Sequence, residues 1–265
     1  MMKRIMDNIT LVEDTPREYK CDKCKDEGGW VEKRDTDVYG DGRIIRKEDF
    51  WIECSCAKQR KLNRLIASSQ ITPEFQKMKF SNFKGEGVSQ DVIDMAKVAK
   101  NYCDNYETIK NTANNSIALM GQPGTGKTHL LTAVSNNLLS KGVAVMYFPF
   151  ISMMNDIQAN QFEKKDEIIN RAKRAELLFI DDLYKPTAGT PQCSPFEQKT
   201  MYDIINHRYL NKMPILLSCE LGFPDLLAVD EATGSRIFEM CQDYAKEIKK
   251  DFRQNYRTKK LFGGN

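Results

Sequence analysis

Residues 116–128 read SIALMGQPGTGKT, a short apolar run followed by a glycine-rich loop. The loop has the spacing G-x-x-x-x-G-K-T, which is typical of a phosphate-binding loop (P-loop). Its glycines let the backbone curl so that N–H groups point into one concavity, and the next helix adds its N-terminal partial charge. We therefore expect a nucleotide to bind at Gly121, Gln122, Pro123, Gly124, Thr125, Gly126, Lys127, Thr128 and His129.

Two carboxylates provide a matching acidic pair. Residues 177–180 are apolar and predict a buried strand, and Asp181 and Asp182 come directly after it. Next to a P-loop, Lys127 would reach the β- and γ-phosphates of ATP, while Thr128 and Asp181 would hold Mg²⁺. Asp182 would polarise the attacking water. The alternative is that the two aspartates have no catalytic role and cap the helix that follows.

Further strands are expected at residues 143–148 and 214–217, with one helical stretch over residues 151–175. Strands that alternate with helices predict an α/β fold with a parallel sheet covered on both faces. The last of these strands delivers Ser218 and Glu220 to the edge where Asp181 and Asp182 end. One of these polar groups is expected to sense the γ-phosphate.

The eight cysteines fall into two groups. Cys21, Cys24, Cys54 and Cys56 form a C-x-x-C and a C-x-C pair, whereas the other four are scattered singly and suggest small buried side chains. Two close pairs separated by a short insert predict a four-cysteine zinc site. A redox pair or merely buried thiols are the alternatives. A turn at residues 40–42 inside the insert predicts a two-stranded hairpin with the metal at its base.

Composition narrows the class of protein. Of 265 residues, 41% are hydrophobic and 29% are charged, which excludes a disordered chain, a collagen-like repeat and a coiled coil. A net charge of +3 is too small to identify a nucleic-acid partner. No apolar run reaches membrane-spanning length, and the N-terminus lacks a signal-peptide core, so we expect a cytoplasmic protein with no membrane partner.

The chain is expected to divide into three parts. Residues 1–70 would form a small zinc-binding domain, residues 71–115 a connecting segment, and residues 116–265 the ATPase domain. Near the end, residues 234–237 read GSRI and predict the opening of a helix that carries Arg236. Residues 246–260 hold seven basic and two acidic residues with interleaved Phe252 and Tyr256, a pattern that suits single-stranded nucleic acid or a solvated helix end.

Taken together, the P-loop, the Asp-Asp strand, the polar fourth strand and the late G-S-R resemble an AAA+ ATPase of the DnaC/DnaI helicase-loader family. The segments 54–62, 69–75 and 79–83 are similar to that family's passage from zinc module to ATPase domain. The cysteine-rich N-terminus resembles the zinc-bearing DnaI-like and phage-encoded branch. The resemblance extends from about Cys21 to Arg257.

The resemblance implies a specific activity. Such proteins bind a hexameric replicative helicase and use ATP-dependent self-assembly to place it on single-stranded DNA during replication initiation. Arg236 matches the family's arginine finger, which is supplied in trans, and Arg257 matches the arginine that contacts the nucleotide within its own subunit. Ser194 and Phe196 match positions that touch single-stranded DNA, although a proline intervenes here. Hydrolysis is expected to be weak and stimulated by assembly or DNA, since the acidic pair is Asp-Asp and Glu220 stands where an asparagine is usual.

Two alternatives remain open at this point. One is an IstB-like transposition ATPase, which shares the ATPase core, although the cysteine module argues against it. The other is a zinc adaptor that uses ATP binding only as an assembly signal.

Overall fold

A computed structural model describes residues 19–38, 44–83, 89–159, 163–185, 193–251 and 255–258. The chain forms two compact units, Met1–Lys61 and Leu62–Asn265. The sequence predicts a boundary near residue 70.

The first unit contains an antiparallel hairpin. Strands β1 (Gly29–Val38) and β2 (Ile44–Glu53) pair with Gly29 opposite Glu53 and Val31 opposite Trp51. The predicted hairpin is therefore present, whereas its expected turn at residues 40–42 lies outside the described residues. Because the strands place residue 29 beside residue 53, the cysteines that flank the hairpin come together at its base.

The second unit is built on a five-stranded sheet, and all its described pairings are parallel. Its strands are β3 (Ile117–Gly121), β4 (Val145–Pro149), β5 (Leu177–Leu183), β6 (Ile215–Cys219) and β7 (Ala245–Ile248). They lie in the order β4-β5-β6-β3-β7, which puts the carboxyl ends of β3, β5 and β6 side by side. The predicted α/β class with a parallel sheet is confirmed.

Nine α-helices occur within the described ranges: α1 (Ser55–Ser68), α2 (Pro73–Gln76), α3 (Gln90–Ile109), α4 (Lys127–Ser140), α5 (Phe150–Ala159), α6 (Glu163–Arg174), α7 (Pro195–Leu210), α8 (Phe223–Val229) and α9 (Glu231–Cys241). None of the described helices combines the length and apolar character required to cross a membrane.

The helical sequence expected over residues 151–175 corresponds, among the described residues, to the two helices α5 and α6. One helix start was predicted wrongly. Arg236 does not lie at a helix start but in the middle of α9, because Asp230 caps that helix by accepting a hydrogen bond from the Thr233 amide.

Alternate residues of β3, β4, β5 and β6 enter two separate cores. Ala118, Phe148 and Ile180 belong to one cluster. Ile117, Tyr147 and Phe179 belong to the other. This alternation means that both faces of the sheet are covered, which is why the strands are continuous apolar runs in the sequence.

A candidate nucleotide site and a cysteine cluster

The P-loop joins β3 to α4 and depends on glycine backbone geometry. Gly121, Gly124 and Gly126 have φ values of +108°, +78° and +93°, a region that other residues rarely adopt. A Cβ atom at Gly121 would also collide with the carbonyl oxygen of Ile248 on the neighbouring strand β7. The loop therefore curls at the N-terminus of α4, where unpaired backbone N–H groups favour an anion.

Lys127 is held across this loop. Its ammonium donates hydrogen bonds to the carbonyls of Gly121 at 2.6 Å and Gln122 at 2.8 Å. Burial lowers the pKa of Lys127, while Glu220 and Asp182 act in the opposite direction. A buried cation that has only neutral carbonyls as hydrogen-bond partners is well suited to receive a phosphate.

Asp181 lies at the centre of a hydroxyl cluster. Its Oδ1 accepts hydrogen bonds from Thr128 at 2.9 Å and Ser218 at 2.5 Å, and its Oδ2 accepts one from Tyr147 at 3.0 Å. Burial raises the pKa of Asp181, and the bonds from Ser218 and Thr128 oppose that rise. The structure thus brings together Thr128 and Asp181, whose hard oxygen atoms suit Mg²⁺.

Tyr147 was not among the predicted site residues. Its sequence neighbours read as an ordinary buried strand, and only the pairing of β4 with β5 brings it beside Asp181. The signal in the sequence was a tyrosine, which carries a hydroxyl, near the carboxyl end of an apolar strand.

Asp182 occupies a strained position. Its φ is +59°, and the pairing of β5 with β6 shifts register between Ile180 and Leu183. The Asp182 amide donates to the Ser218 hydroxyl at 2.8 Å. Ser218 therefore contacts both members of the acidic pair, so it is buried beneath them as their support.

Lys185 is a second residue that the sequence reasoning missed. Its ammonium lies 2.7 Å from Asp182 Oδ2 and 3.2 Å from Glu220 Oε1. The negative charge of Glu220 is therefore paired, which removes the difficulty of a glutamate at this edge of the sheet. The available signal was a lysine three residues after an acidic pair.

A cavity of about 570 Å³ opens at this edge. One wall is largely apolar and comes from Phe75, Met78, Phe83 and Val92, while the other consists of the P-loop and the charged groups. The predicted residues that line it are Pro123, Gly124, Thr125, Gly126, Lys127, Thr128, His129, Asp181, Asp182, Glu220 and Arg257. Its size and its mixed lining fit a nucleotide, with the base against the apolar wall.

The C-terminal segment lies against the P-loop. Gln122 exchanges two hydrogen bonds with the backbone of Asp251, at 2.5 Å and 2.7 Å. The Tyr256 amide donates to the Gly124 carbonyl at 2.9 Å, and Arg257 follows at the cavity. Phe252, another predicted residue of this segment, lies outside the described residues.

His129 closes the other side of the loop. Its Nε2 lies 3.1 Å from the Lys79 carbonyl oxygen, and its ring packs against Phe83 with centroids 5.4 Å apart. His129 therefore connects the P-loop helix to the apolar wall.

Arg236 lies outside the set of described residues that line the cavity. Its guanidinium donates to Asn206 Oδ1 at 3.0 Å and to the Ala232 carbonyl at 2.7 Å. It also lies over the rings of Tyr202 and Tyr209, 5.0 Å and 5.6 Å from their centroids. The side chain is held away from the nucleotide site of its own chain, on the surface formed by α7 and α9.

Ser194 and Phe196 lie at the start of α7, apart from the cavity lining among described residues. The Ser194 hydroxyl accepts from the Glu197 amide and the Ser194 amide donates to the Glu197 carboxylate, which forms a capping box. The Ser194 hydroxyl also donates to the same carboxylate. Phe196 is half-buried, and the Lys165 ammonium lies 5.0 Å from its ring centroid. Both side chains thus have structural partners within this chain.

The four predicted zinc ligands meet in the first unit. The sulfur atoms of Cys21, Cys24, Cys54 and Cys56 all lie within 4.8 Å of one another. Cys21 and Cys54 are 3.7 Å apart, and Cys24 and Cys56 are 3.4 Å apart. A tetrahedral zinc site with Zn–S bonds of about 2.3 Å separates its sulfurs by roughly 3.8 Å, so the cluster could hold zinc.

The four thiols do not share one tendency to ionise. Burial raises the pKa of Cys24, but hydrogen bonds from the Gly28 backbone and the neighbouring thiols outweigh it and lower the pKa to about 6, whereas burial and the neighbouring thiols raise the pKa of Cys56 to about 12. The Arg60 guanidinium donates to the Asp26 carbonyl and lies 3.8 Å from the Cys24 sulfur. A nearby guanidinium offsets part of the charge that four thiolates would carry.

Comparison with known proteins identifies the family of the chain. The model of the family described as "IstB-like ATP binding protein" matches residues 53–236, more than half of the sequence. The chain belongs to this family. The matched region includes the P-loop, the acidic pair and Arg236. The resemblance to DnaC/DnaI-type AAA+ ATPases that these motifs predict is confirmed at the level of an IstB/DnaC-like AAA+ ATPase family.

Individual relatives agree with this assignment. The phage-like element PBSX protein XkdC of Bacillus subtilis is 43% identical over 90% of this chain and 88% of its own length. The replicative helicase loader DnaC of Escherichia coli is 29% identical over 58% of this chain and 60% of its own. A crystal structure of DnaI has the same fold, with a TM-score of 0.55 and 19% identity over 68% of this chain and 94% of that chain.

Proposed function

We propose that this protein is an ATP-dependent loader that binds a hexameric replicative DNA helicase and places it on single-stranded DNA. The observation that carries the proposal is the combination of a four-cysteine unit with an AAA+ nucleotide site in a chain that is similar to the loader DnaC.

The cavity at the P-loop would take ATP. Lys127 would exchange its carbonyl partners for the β- and γ-phosphates, and Arg257 would contact the nucleotide from the same chain. Thr128 and Asp181 would hold Mg²⁺, whose charge offsets that of the phosphates. Asp182 would accept a hydrogen bond from the attacking water.

Hydrolysis would need a second copy of the chain. Arg236 is held on the surface of α7 and α9 with aromatic and amide partners, which would present it to the nucleotide of a neighbouring subunit. An isolated subunit would therefore hydrolyse ATP slowly, and assembly or DNA would stimulate it. The usual sensor is an asparagine. Here the Ser218 hydroxyl is hydrogen-bonded to Asp181 and the Glu220 carboxylate is paired with Lys185, so either side chain would have to leave its partner to contact the γ-phosphate.

The cysteine unit would contact the helicase. Zinc held by the four cysteines would stabilise a unit too small for a large core of its own. Contact of single-stranded DNA with Ser194 and Phe196 stays a prediction, and the capping box at Ser194 means that its hydroxyl would have to leave Glu197 to reach DNA.

Native mass spectrometry of the protein with the replicative helicase of its host tests this proposal, with and without ATP. We expect a complex that carries several loader subunits for each helicase hexamer. The absence of any complex in both conditions would contradict the loader function.

The family match supports one other candidate, a transposition ATPase of the IstB type. In that case the protein would associate with a transposase instead of a helicase, and the same measurement with the transposase would detect it. A zinc adaptor without turnover would bind the helicase but show no ATP hydrolysis, with or without single-stranded DNA.

A further inference from the structure

Three charged residues form a bridge at the far end of the nucleotide cavity. Asp182 ends the regular part of β5, Glu220 directly follows β6, and Lys185 contacts the carboxylates of both. The two carboxylates come from the neighbouring strands β5 and β6, so the lysine connects the carboxyl ends of these two strands. The Glu220 side chain is only 14% exposed.

Charge in the cavity is balanced only because Lys185 is present. Among the described residues that line the cavity, Lys127, Lys185 and Arg257 are basic, while Asp181, Asp182 and Glu220 are acidic. A nucleoside triphosphate brings several further negative charges to this space. Without Lys185, two carboxylates would face the incoming phosphates with no cation between them.

The position of the bridge distinguishes it from the rest of the site. The P-loop would surround the phosphates that ADP and ATP share and Lys127 would reach the β- and γ-phosphates, whereas Asp182 would lie at the third phosphate, beside the attacking water. A partly buried pair of carboxylates repels an anion more strongly than an exposed pair, since water screens it less. An effect of Lys185 should therefore fall on the third phosphate.

We propose that Lys185 is a specificity-determining residue for the terminal phosphate, because its ammonium offsets Glu220 and Asp182 and so lets this end of the cavity accept a triphosphate. The inference depends on the proposed nucleotide site and goes beyond it, since it states which residue makes the site prefer ATP to ADP. It also explains how a glutamate is tolerated at Glu220.

Isothermal titration calorimetry with magnesium tests this inference, using a non-hydrolysable ATP analogue and ADP as ligands. Lys185→Met should weaken binding of the analogue roughly tenfold or more, as expected for the loss of one charged contact, and should change ADP binding by less than about threefold. Lys185→Arg should keep most of the affinity. The double variant Lys185→Met with Glu220→Gln should recover most of the loss, because it restores the balance of charge.

Lys97→Met is the matched control. Lys97 also forms an ion pair with an aspartate three residues away, Asp94, but on α3 and outside the described cavity lining. This variant should leave both affinities unchanged.

Three outcomes would overturn the inference: unchanged binding in Lys185→Met, an equal loss for the ATP analogue and ADP, or no recovery in the double variant. Wild-type protein that binds neither nucleotide would instead contradict the proposed function. Thermal unfolding checks that each variant folds. If Lys185→Met does not fold, Glu220→Gln alone tests the inference. This variant should strengthen binding of the ATP analogue relative to ADP. Unchanged or weaker binding of the analogue would contradict the inference.

Discussion

Lys127 has no described carboxylate partner, and its ammonium is committed to two loop carbonyls. Lys127→Ala should leave the fold intact, since Lys127 itself lines a cavity that water can enter. It should weaken binding of ATP roughly a hundredfold or more, because the charged contact to the phosphates is lost.

Fluorescence titration with a labelled ATP analogue measures this loss. Lys164→Ala, which removes an exposed lysine from α6, is the control and should bind normally. Normal nucleotide binding by Lys127→Ala would contradict the P-loop assignment.

Arg208 is the largest fully buried side chain described. Its guanidinium donates to the carbonyls of Ala172 and Ala175 at 2.8 Å and of Pro214 at 2.6 Å. Burial lowers the pKa of Arg208 to about 9, so it stays charged at neutral pH and caps the end of α6.

Arg208→Met should therefore reduce the free energy of unfolding by about 3 kcal/mol or more, since it removes the guanidinium donor from several carbonyls at the end of α6 and from that of Pro214. Urea denaturation measures the change. Arg171→Met, an exposed position on α6, should cost less than about 0.5 kcal/mol. A similar cost for the two variants would show that the buried network contributes little.

The site residues that the sequence predicted interact within one short segment, whereas those that it missed interact with residues distant in the sequence. Gly124, Lys127 and Thr128 act within one continuous loop, so their spacing alone predicts their chemistry. Tyr147 and Lys185 become site residues only through strand neighbours and through the positive φ of Asp182, and neither is visible in a local pattern.

At the scale of the element, α9 presents Arg236 through its middle turn and packs beside α7. Arg236→Ala should keep ATP binding and lose the hydrolysis that DNA or assembly stimulates, because the guanidinium would act on a neighbour's nucleotide. Turnover of the variant, with and without single-stranded DNA, measures this.

Mixing gives the sharpest control for this prediction. Lys127→Ala still offers its arginine, and Arg236→Ala still offers an intact P-loop, so a mixture should regain part of the activity that neither has alone. Loss of ATP affinity in Arg236→Ala, or no recovery in the mixture, would place the arginine's action within its own subunit.

Elements were predicted well where hydrophobic runs are long and less well at their ends. Strands β3, β4, β5 and β6 follow from apolar runs that are buried on both faces, whereas β7 was not predicted, because its sequence AKEI is not an apolar run. The predicted start of α9 was wrong. Gly234 and Ser235 resemble the residues before a helix, but the Asp230 side chain caps the helix four residues earlier. Capping competes between neighbouring polar residues, and sequence alone does not rank them.

At the scale of the whole molecule, the two units have separate means of stabilisation. The second unit has two apolar cores, while the first has a hairpin and the cysteine cluster. Cys54→Ser should therefore release zinc and unfold the first unit, while the second keeps its cooperative unfolding transition. Weakened helicase binding should accompany the loss.

Zinc content by mass spectrometry and calorimetric unfolding test this prediction. Cys193→Ser changes a half-buried single cysteine outside the cluster and should keep the metal. Wild-type protein that is free of zinc yet binds the helicase would contradict it, and so would loss of both transitions in Cys54→Ser.

The sequence was most informative about the nucleotide site and the metal site because each depends on a few residue types at fixed spacing. It was least informative about the partner. Contact with a partner protein depends on the shape and charge of a surface. The exposed side chains of Val31 and Trp51 do not indicate by their residue type whether a partner binds there.

The position of β7 beside β3 has a consequence for synthesis of the protein. Gln122 and Asp251, which bind each other, are separated by 129 residues, so a ribosome that adds about 5 to 20 residues per second makes them on the order of 10 s apart. During that interval the nascent P-loop lacks its neighbouring strand and Arg257. A growing chain therefore completes the lining of this cavity only after residue 257 has been made.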